Sequence, residues 1–220
     1  MEQIQGVVSV AGEKRILSEE ECGFWEAAWD DGICVQEPKQ TDDKACVWQH
    51  GAEDGVCLQF AAKSRNESFA RMVAAAYAAQ LNPTLEELSD IKTAVSEAVT
   101  NAVIHGYGEG DGTICMRLGI YGREVWIEVE DRGAGMEDVL AAMEPMYTTR
   151  ADMERSGMGF AFMEAFMDKL EVYSQKNRGT LVRMKKKVLA GSAETGEDAG
   201  GAKACEAGKD GKEDKSSEEK

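Results

Sequence analysis

The chain has 220 residues, of which 43% are hydrophobic and 30% are charged, and its formal net charge is −16. Such acidity disfavours direct nucleic-acid binding through a basic surface, and no apolar run approaches the ~20 residues that a membrane-spanning helix needs. The N-terminus lacks a basic start and a long apolar segment, so no signal peptide is predicted and we expect a cytoplasmic protein without a membrane partner.

The acidity is concentrated at the two ends of the chain. Residues 1–54 hold 13 acidic and 4 basic side chains, and they are predicted to form a partly disordered extension with one short helix. Ser18 and Glu21 form a capping box where that helix would begin. Residues 191–220 have no aromatic or large aliphatic side chain, which predicts a disordered tail. A single domain is therefore expected over residues 55–190.

The first elements of that domain are a strand and two helices. GVCLQFAA alternates as a strand does, and NESFARMVAAAYAAQL follows with helical periodicity until Asn82 and Pro83 break it. Thr84 and Glu87 form a second capping box, which begins a long helix that Gly106 ends.

The remaining elements are two hairpins with a helix between them. TICMRLGIY and EVWIEVED flank a Gly-Arg turn, SGMGFAFMEAFMDKL begins as a glycine turn and continues as a helix, and LEVYS and TLVRMKKKV form the last hairpin. This order predicts a two-layer α/β sandwich with a mixed, mostly antiparallel sheet and helices on one face. The six cysteines are scattered, without the short spacing of a zinc site, which favours free thiols.

Three short motifs could carry chemistry. Glu97 and Asn101 lie one turn apart on the long helix, beside small residues that leave room for a ligand. The sequence Asp131-Arg132-Gly133-Ala134-Gly135 follows directly on a strand, where a carboxylate can accept a hydrogen bond from an exocyclic amine. The sequence Gly157-Met158-Gly159 opens a helix, whose free N–H groups and dipole favour phosphate. Each motif alone is as typical of a solvated helix face or a tight turn as it is of a ligand-binding site.

The order and spacing of the three motifs resemble the nucleotide-binding boxes of the GHKL ATPase superfamily, whose Bergerat-type fold is such a sandwich. Gly179-Thr180 matches the late G-T element of that superfamily. The segments NESFAR, SEAVTNAVIHGY and ERSGMGFAFMEAFMD are similar, more closely, to the sporulation anti-sigma F factors, which are serine protein kinases that sequester a sigma factor. The resemblance covers about residues 55–188.

This resemblance implies roles for individual residues. Asn101 would coordinate Mg²⁺ through its amide oxygen, and Glu97 would take the proton from an attacking serine hydroxyl. Asp131 would bind the adenine amine of ATP or ADP, with Gly133 and Gly135 bordering the base. Three further residues would hold the phosphates: Gly157, Met158 and Gly159. Thr180 would support Asp131 through water.

The resemblance also implies the partners. Sigma factor F would be bound and held inactive, and a serine of the anti-anti-sigma protein would be phosphorylated. Glu67 and Arg71, one turn apart on the first helix of the domain, would contact both proteins, and the chain would form a homodimer. Two alternatives stay open at this point: a non-catalytic, nucleotide-gated sigma-binding module, and an anti-sigma kinase of the general-stress type.

Overall fold

The computed structural model of the protein describes residues 4–18, 20–22, 55–108, 110–146 and 157–189. The predicted acidic tail and most of the predicted N-terminal helix lie outside these residues. The start of that helix is described at residues 20–22, and its capping box is confirmed. The Ser18 N–H donates to Glu21 Oε2 at 2.8 Å, and the Glu21 N–H donates to Ser18 Oγ at 3.3 Å.

The described chain is built on a seven-stranded sheet. Its strands are β1 (Gln5–Val10), β2 (Glu13–Ile16), β3 (Gly55–Ala61), β4 (Thr113–Tyr121), β5 (Glu124–Asp131), β6 (Lys169–Gln175) and β7 (Gly179–Lys187). They lie in the order β2-β1-β6-β7-β5-β4-β3, and every neighbouring pair is antiparallel. The two hairpins predicted for β4–β5 and β6–β7 are confirmed.

Within the described residues, four α-helices are complete: α1 (Arg65–Ala78), α2 (Leu85–Asn101), α3 (Val139–Ala142) and α4 (Gly159–Phe166). The capping box predicted at Thr84 and Glu87 begins α2. This helix widens into a π-helical turn over Ala102–Gly106, a distortion that is frequent at functional sites. None of the helices that the structure describes is long and apolar enough to cross a membrane.

The hydrophobic core lies between the helices and one face of the sheet. Helix α2 contributes Ile91, Val95 and Ala98, each at most 1% exposed, and alternate residues of the central strands pack against them. Alternate residues of each strand point to this face and pack against the continuous apolar stripe of the helix. The sheet and the helix thereby each bury one side. The predicted two-layer α/β sandwich is confirmed.

The opposite face of the sheet carries a buried network of ion pairs. Arg117 lies between Glu128 and Glu130, with nitrogen–oxygen distances of 2.6 and 2.8 Å, and Arg183 pairs with Glu128 from the neighbouring strand. On the same face, Cys115 Sγ lies 3.6 Å from Cys57 Sγ. The buried Cys22 is a free thiol, as expected.

The hairpin of β1 and β2 is the main departure from the predicted domain organisation. Strand β1 pairs with β6 along its whole length, and Val7 is 2% exposed within the main core. A second cluster beside it is formed by Val8, Leu17, Cys22, Tyr173 and Leu181. The boundary predicted at residue 55 therefore leaves out two strands of the sheet. Strands of six and four residues give little periodicity, and their place depends on the edge of β6, far along the chain.

Candidate functional site

A cavity of about 440 Å³ opens at one end of the sandwich, within the size range of small-molecule sites. Its walls come from the end of α2, the loop after β5, the start of α4 and the β6–β7 turn. Six of the residues predicted to bind nucleotide line it: Asn101, Asp131, Gly135, Gly157, Gly159 and Thr180. The fold therefore brings together three motifs that are far apart in the sequence.

Glu97 and Asn101 both approach the start of α4. A methyl group added to Gly159 would lie 3.0 Å from Glu97 Oε2 and 3.2 Å from Asn101 Oδ1. The missing side chain of Gly159 thus lets the first turn of α4 approach two oxygen atoms on adjacent turns of α2. Both side chains are half-buried, so the polar stripe on α2 is more than a solvated face.

The Gly157-Met158-Gly159 segment sits at the N-terminus of α4. Met158 is the residue before the helix, and its carbonyl accepts the Phe162 N–H at 2.9 Å. The Gly157 carbonyl accepts the Met146 N–H at 2.9 Å. Because the N–H groups of a first helical turn have no partner within the helix, this end of the cavity suits an anion.

Asp131, at the end of β5, also lines the cavity and is 5% exposed. The Gly133 N–H donates to its Oδ1 at 2.9 Å. Gly133 has no room for a side chain, because a Cβ there would lie 2.1 Å from the Gly106 carbonyl oxygen. The Ala134 N–H donates to the same oxygen at 2.8 Å. The D-x-G-x-G loop is thereby fixed directly on the end of α2.

Burial raises the pKa of Asp131 to about 7, with the nearby charge of Glu130 adding to the rise and the Gly133 and Thr180 N–H groups opposing it. A carboxyl whose pKa in the folded protein lies above its ordinary value of 3.8 takes up a proton on folding. Its contribution to stability is therefore fully present below pH 3.8, and it is lost as the pH rises from there through about 7.

We therefore expect a pH-dependent difference in stability between the nucleotide-free wild type and Asp131→Asn. From pH 6 to pH 8, the unfolding free energy of the wild type should fall by about 1 kcal/mol more than that of the variant. Urea unfolding at both pH values measures this difference, and titration of other groups cancels between the two proteins. A difference that does not change with pH would contradict a raised pKa.

Gly135 and Thr180 are held by the β6–β7 turn. Gly135 has a φ of +63°, and a Cβ there would lie 2.0 Å from the Gln175 carbonyl oxygen, so glycine alone fits. Thr180 Oγ1 lies 3.0 Å from Ser174 Oγ, which donates to the Gly179 carbonyl at 3.0 Å. Since the single hydroxyl hydrogen of Ser174 is used there, Thr180 donates to Ser174 and keeps its lone pairs for the cavity.

Several residues of the site were missed in the sequence. Ser174 is fully buried and also accepts the Met136 N–H at 2.8 Å, so it joins three segments of the cavity wall. The Tyr107 hydroxyl accepts the Arg132 N–H at 2.8 Å and donates to the Thr113 carbonyl at 2.7 Å. His105 lines the cavity one turn beyond Asn101. The Ser and Tyr contacts depend on tertiary structure, and only His105, at helical spacing from Asn101, gave a signal in the sequence.

The residues at the α2–α4 corner fit a hard cation that is shared with phosphate. An amide oxygen and a carboxylate are the ligand types that Mg²⁺ accepts, and it keeps water and phosphate in its other positions. Across the described residues, no group of three or more His, Cys, Asp or Glu side chains is placed to hold a metal. At this corner, the amide oxygen of Asn101 is of the ligand type that Mg²⁺ accepts.

The predicted partner-binding residues lie apart from the cavity, on the exposed side of α1. Arg71 Nη1 is 3.1 Å from Glu67 Oε1, and the two side chains are 42% and 20% exposed. The Ser96 hydroxyl donates to the same oxygen of Glu67 through a short hydrogen bond. The pair is thus fixed to α2 at the residue next to Glu97, a link that the sequence did not indicate.

Comparisons with known proteins agree with this geometry. The model of the family described as "Histidine kinase-like ATPase domain" matches residues 60–186. An anti-sigma F factor of Clostridium botulinum is 58% identical over 130 residues, which cover 59% of this chain and 91% of that protein. The chain belongs to the anti-sigma F factor family. The anti-sigma F factor of Thermoanaerobacter pseudethanolicus is 59% identical over 127 residues, covering 58% of this chain and 89% of that protein.

A third anti-sigma F factor, from Clostridium kluyveri, is 56% identical over 128 residues, which cover 58% of this chain and 90% of that protein. The predicted resemblance to the anti-sigma F factors and to the GHKL-type ATPases is therefore confirmed. The match to the ATPase family model begins at residue 60. The β1–β2 hairpin therefore lies outside the matched segment.

Proposed function

We propose that this anti-sigma F factor binds ATP and ADP in the cavity and uses Mg·ATP to phosphorylate a serine of a small anti-anti-sigma protein. Its second activity would be to bind sigma factor F and hold it inactive. The observation that carries the proposal is the approach of Glu97 Oε2 and Asn101 Oδ1 to Gly159 at the phosphate end of the cavity. Asp131, which the proposal assigns to adenine, lines the same cavity.

The nucleotide would lie along the cavity from Asp131 to the N-terminus of α4. The carboxylate of Asp131 accepts a hydrogen bond from the adenine amine, and Gly133 and Gly135 let the backbone lie close to the flat base. Thr180, whose lone pairs face the cavity, supports Asp131 through water. The backbone of residues 157–159 holds the phosphates with N–H groups and the helix dipole.

Phosphoryl transfer would take place at the α2–α4 corner. Glu97 takes the proton of the attacking serine hydroxyl as the serine oxygen bonds to the γ-phosphorus, and ADP leaves with the bridging oxygen. Asn101 would hold Mg²⁺ through its amide oxygen, and the ion would supply charge neutralisation for the phosphates. Few groups are needed, because this reaction depends mainly on positioning and charge.

A phosphotransfer assay tests the proposal. The full-length chain is incubated with Mg²⁺ and γ-labelled ATP, together with a purified anti-anti-sigma protein. We expect label on one serine, and a serine-to-alanine variant of the substrate should stay unlabelled. Nucleotide-dependent capture of sigma factor F without any phosphotransfer would instead establish the non-catalytic binding module. Sedimentation of the purified chain would measure the expected homodimer.

The exposed pair on α1 gives a prediction about partners. Arg71→Glu should leave nucleotide binding intact while sigma factor F and the anti-anti-sigma protein are lost together, because the reversed charge stands in the shared interface. We expect a loss of about 2–5 kcal/mol in binding free energy. Pull-downs with each partner measure it. Arg65→Glu, on a different side of the same helix, is the matched control, and undiminished capture of both partners by Arg71→Glu would remove Arg71 from the interface.

A further inference from the structure

The β1–β2 hairpin contacts a wall of the cavity as well as the edge of the sheet. The Gln5 side-chain amide donates to the Glu137 carbonyl at 2.7 Å, and its oxygen accepts the Val139 N–H at 3.2 Å. The two bonds fix the chain where it enters α3. Glu137 and Asp138, at this point, both line the cavity.

Lys14, at the other end of the hairpin, holds the chain where it leaves α3. Its ammonium group donates to the Met143 carbonyl at 2.8 Å and lies 3.5 Å from a carboxylate oxygen of Glu144. Gln5 and Lys14 thus form hydrogen bonds at the two ends of α3. Ala142 of this helix also lines the cavity. A helix of four residues has little stability of its own, so its position depends on such contacts.

Lys14 also reaches α4, the helix that begins at the phosphate end. Its ammonium group lies 3.5 Å from Glu164 Oε2, and the two side chains are only 16% and 13% exposed. Glu164 Oε1 is buried with no hydrogen-bond partner in the described part of the chain. Within that part, Lys14 provides the only ion pair of Glu164, and its removal would leave a nearly buried charge uncompensated.

We infer that Gln5 and Lys14 are positioning residues for the nucleotide, and that the β1–β2 hairpin braces α3 and α4 as two walls of the cavity. The inference rests on the nucleotide site of the proposed function. It assigns a role in that site to a segment that precedes the family match at residue 60. The hairpin acts through hydrogen bonds of the Gln5 amide and the Lys14 ammonium group to the backbone and through two ion pairs of Lys14, with Glu144 and Glu164.

Calorimetric titration of ADP into the full-length chain and its variants tests the inference. Lys14→Met should weaken ADP binding by about fivefold to tenfold, the effect of losing a charge-assisted hydrogen bond that orders a wall. Gln5→Ala should also lower the affinity for ADP. Because this substitution leaves all charges in place, it tests the inference even if Lys14→Met fails to fold. Lys14→Arg should bind ADP as the wild type does.

Arg15→Met is the matched control within the hairpin. Arg15 follows Lys14 and pairs with Glu21 at 2.9 Å, with both side chains exposed, so its loss should leave ADP affinity unchanged. Equal loss in Arg15→Met and Lys14→Met would overturn the inference, because the hairpin would then act only through general stability. Unchanged affinity in both Lys14→Met and Gln5→Ala would overturn it as well.

A second readout does not depend on nucleotide. Val139 and Met143 are fully buried on either side of α3, and their methyl NMR signals should shift or broaden in Lys14→Met and Gln5→Ala but not in Arg15→Met. If the wild type binds no ADP, the proposed nucleotide site is wrong. The methyl signals would still show whether the β1–β2 hairpin holds α3 in place. Unshifted methyl signals in both variants would overturn the inference.

Discussion

Replacing Glu97 with glutamine should abolish most phosphotransfer while nucleotide binding persists. Glutamine keeps the size of the side chain that faces Gly159, but its amide cannot take the proton of a serine hydroxyl. We expect the transfer rate to fall by about 100-fold to 10,000-fold, the usual contribution of a general base. Affinity for ADP should stay within about threefold of the wild type, because the substitution removes no group that is assigned to adenine or to the phosphates.

Single-turnover transfer of labelled phosphate to the anti-anti-sigma protein measures the rate, and calorimetry measures the affinity. Glu86→Gln is the matched control, since Glu86 is exposed in the first turn of the same helix. It should transfer phosphate at the wild-type rate. Full activity in Glu97→Gln would show that Glu97 is a helix residue without a catalytic role, despite its position beside Gly159.

The second large effect is expected at the adenine end of the cavity. In Asp131→Asn, the amide oxygen should stay with the Gly133 N–H, which donates to Oδ1 at 2.9 Å in the wild type. The NH₂ group would then point into the cavity and meet the amine of adenine, donor against donor. We expect ADP affinity to fall by about 10-fold to 100-fold, the cost of an unsatisfied polar contact in a buried site.

Calorimetric titration at pH 8, where Asp131 is ionised, measures this change. Asp168→Asn is the control, because Asp168 accepts the Lys187 N–H at 2.6 Å away from the cavity and an asparagine oxygen can do the same. Its ADP affinity should equal that of the wild type. If Asp131→Asn also binds ADP as tightly as the wild type, the adenine end has been assigned to the wrong residue.

Local signals made much of the architecture predictable. Both capping boxes, at Ser18 and at Thr84, are present because each involves only residues three apart. The hairpin turns follow from short polar segments with glycine or asparagine at positive φ, such as Gly122 and Asn177. The apolar stripe of α2 is buried as its spacing predicts. These features depend on contacts within one turn or one hairpin, which a sequence displays directly.

Contacts between distant segments were beyond such signals. The acidic and basic residues of β5 and β7 alternate as a solvated face would, yet Glu128 and Arg183 are 4% and 7% exposed and paired with each other. Whether a charged strand residue meets water or an opposite charge depends on the register of its neighbours. The same reason hides Ser174, whose three bonds connect segments almost forty residues apart.

The sequence by itself determined the order of the elements from β3 onward, apart from the short α3, and the residue types of the site, because helical and strand periods, caps and glycine motifs are local properties. It predicted that Glu97, Asn101, Asp131 and the Gly157–Gly159 turn would share one ligand. The tertiary structure alone decided that Gly159 packs against Glu97 and Asn101 and that β1 completes the edge of β6. Both outcomes depend on burial and hydrogen bonding between segments far apart in the chain, and these free energies arise only when the sheet has closed around its core.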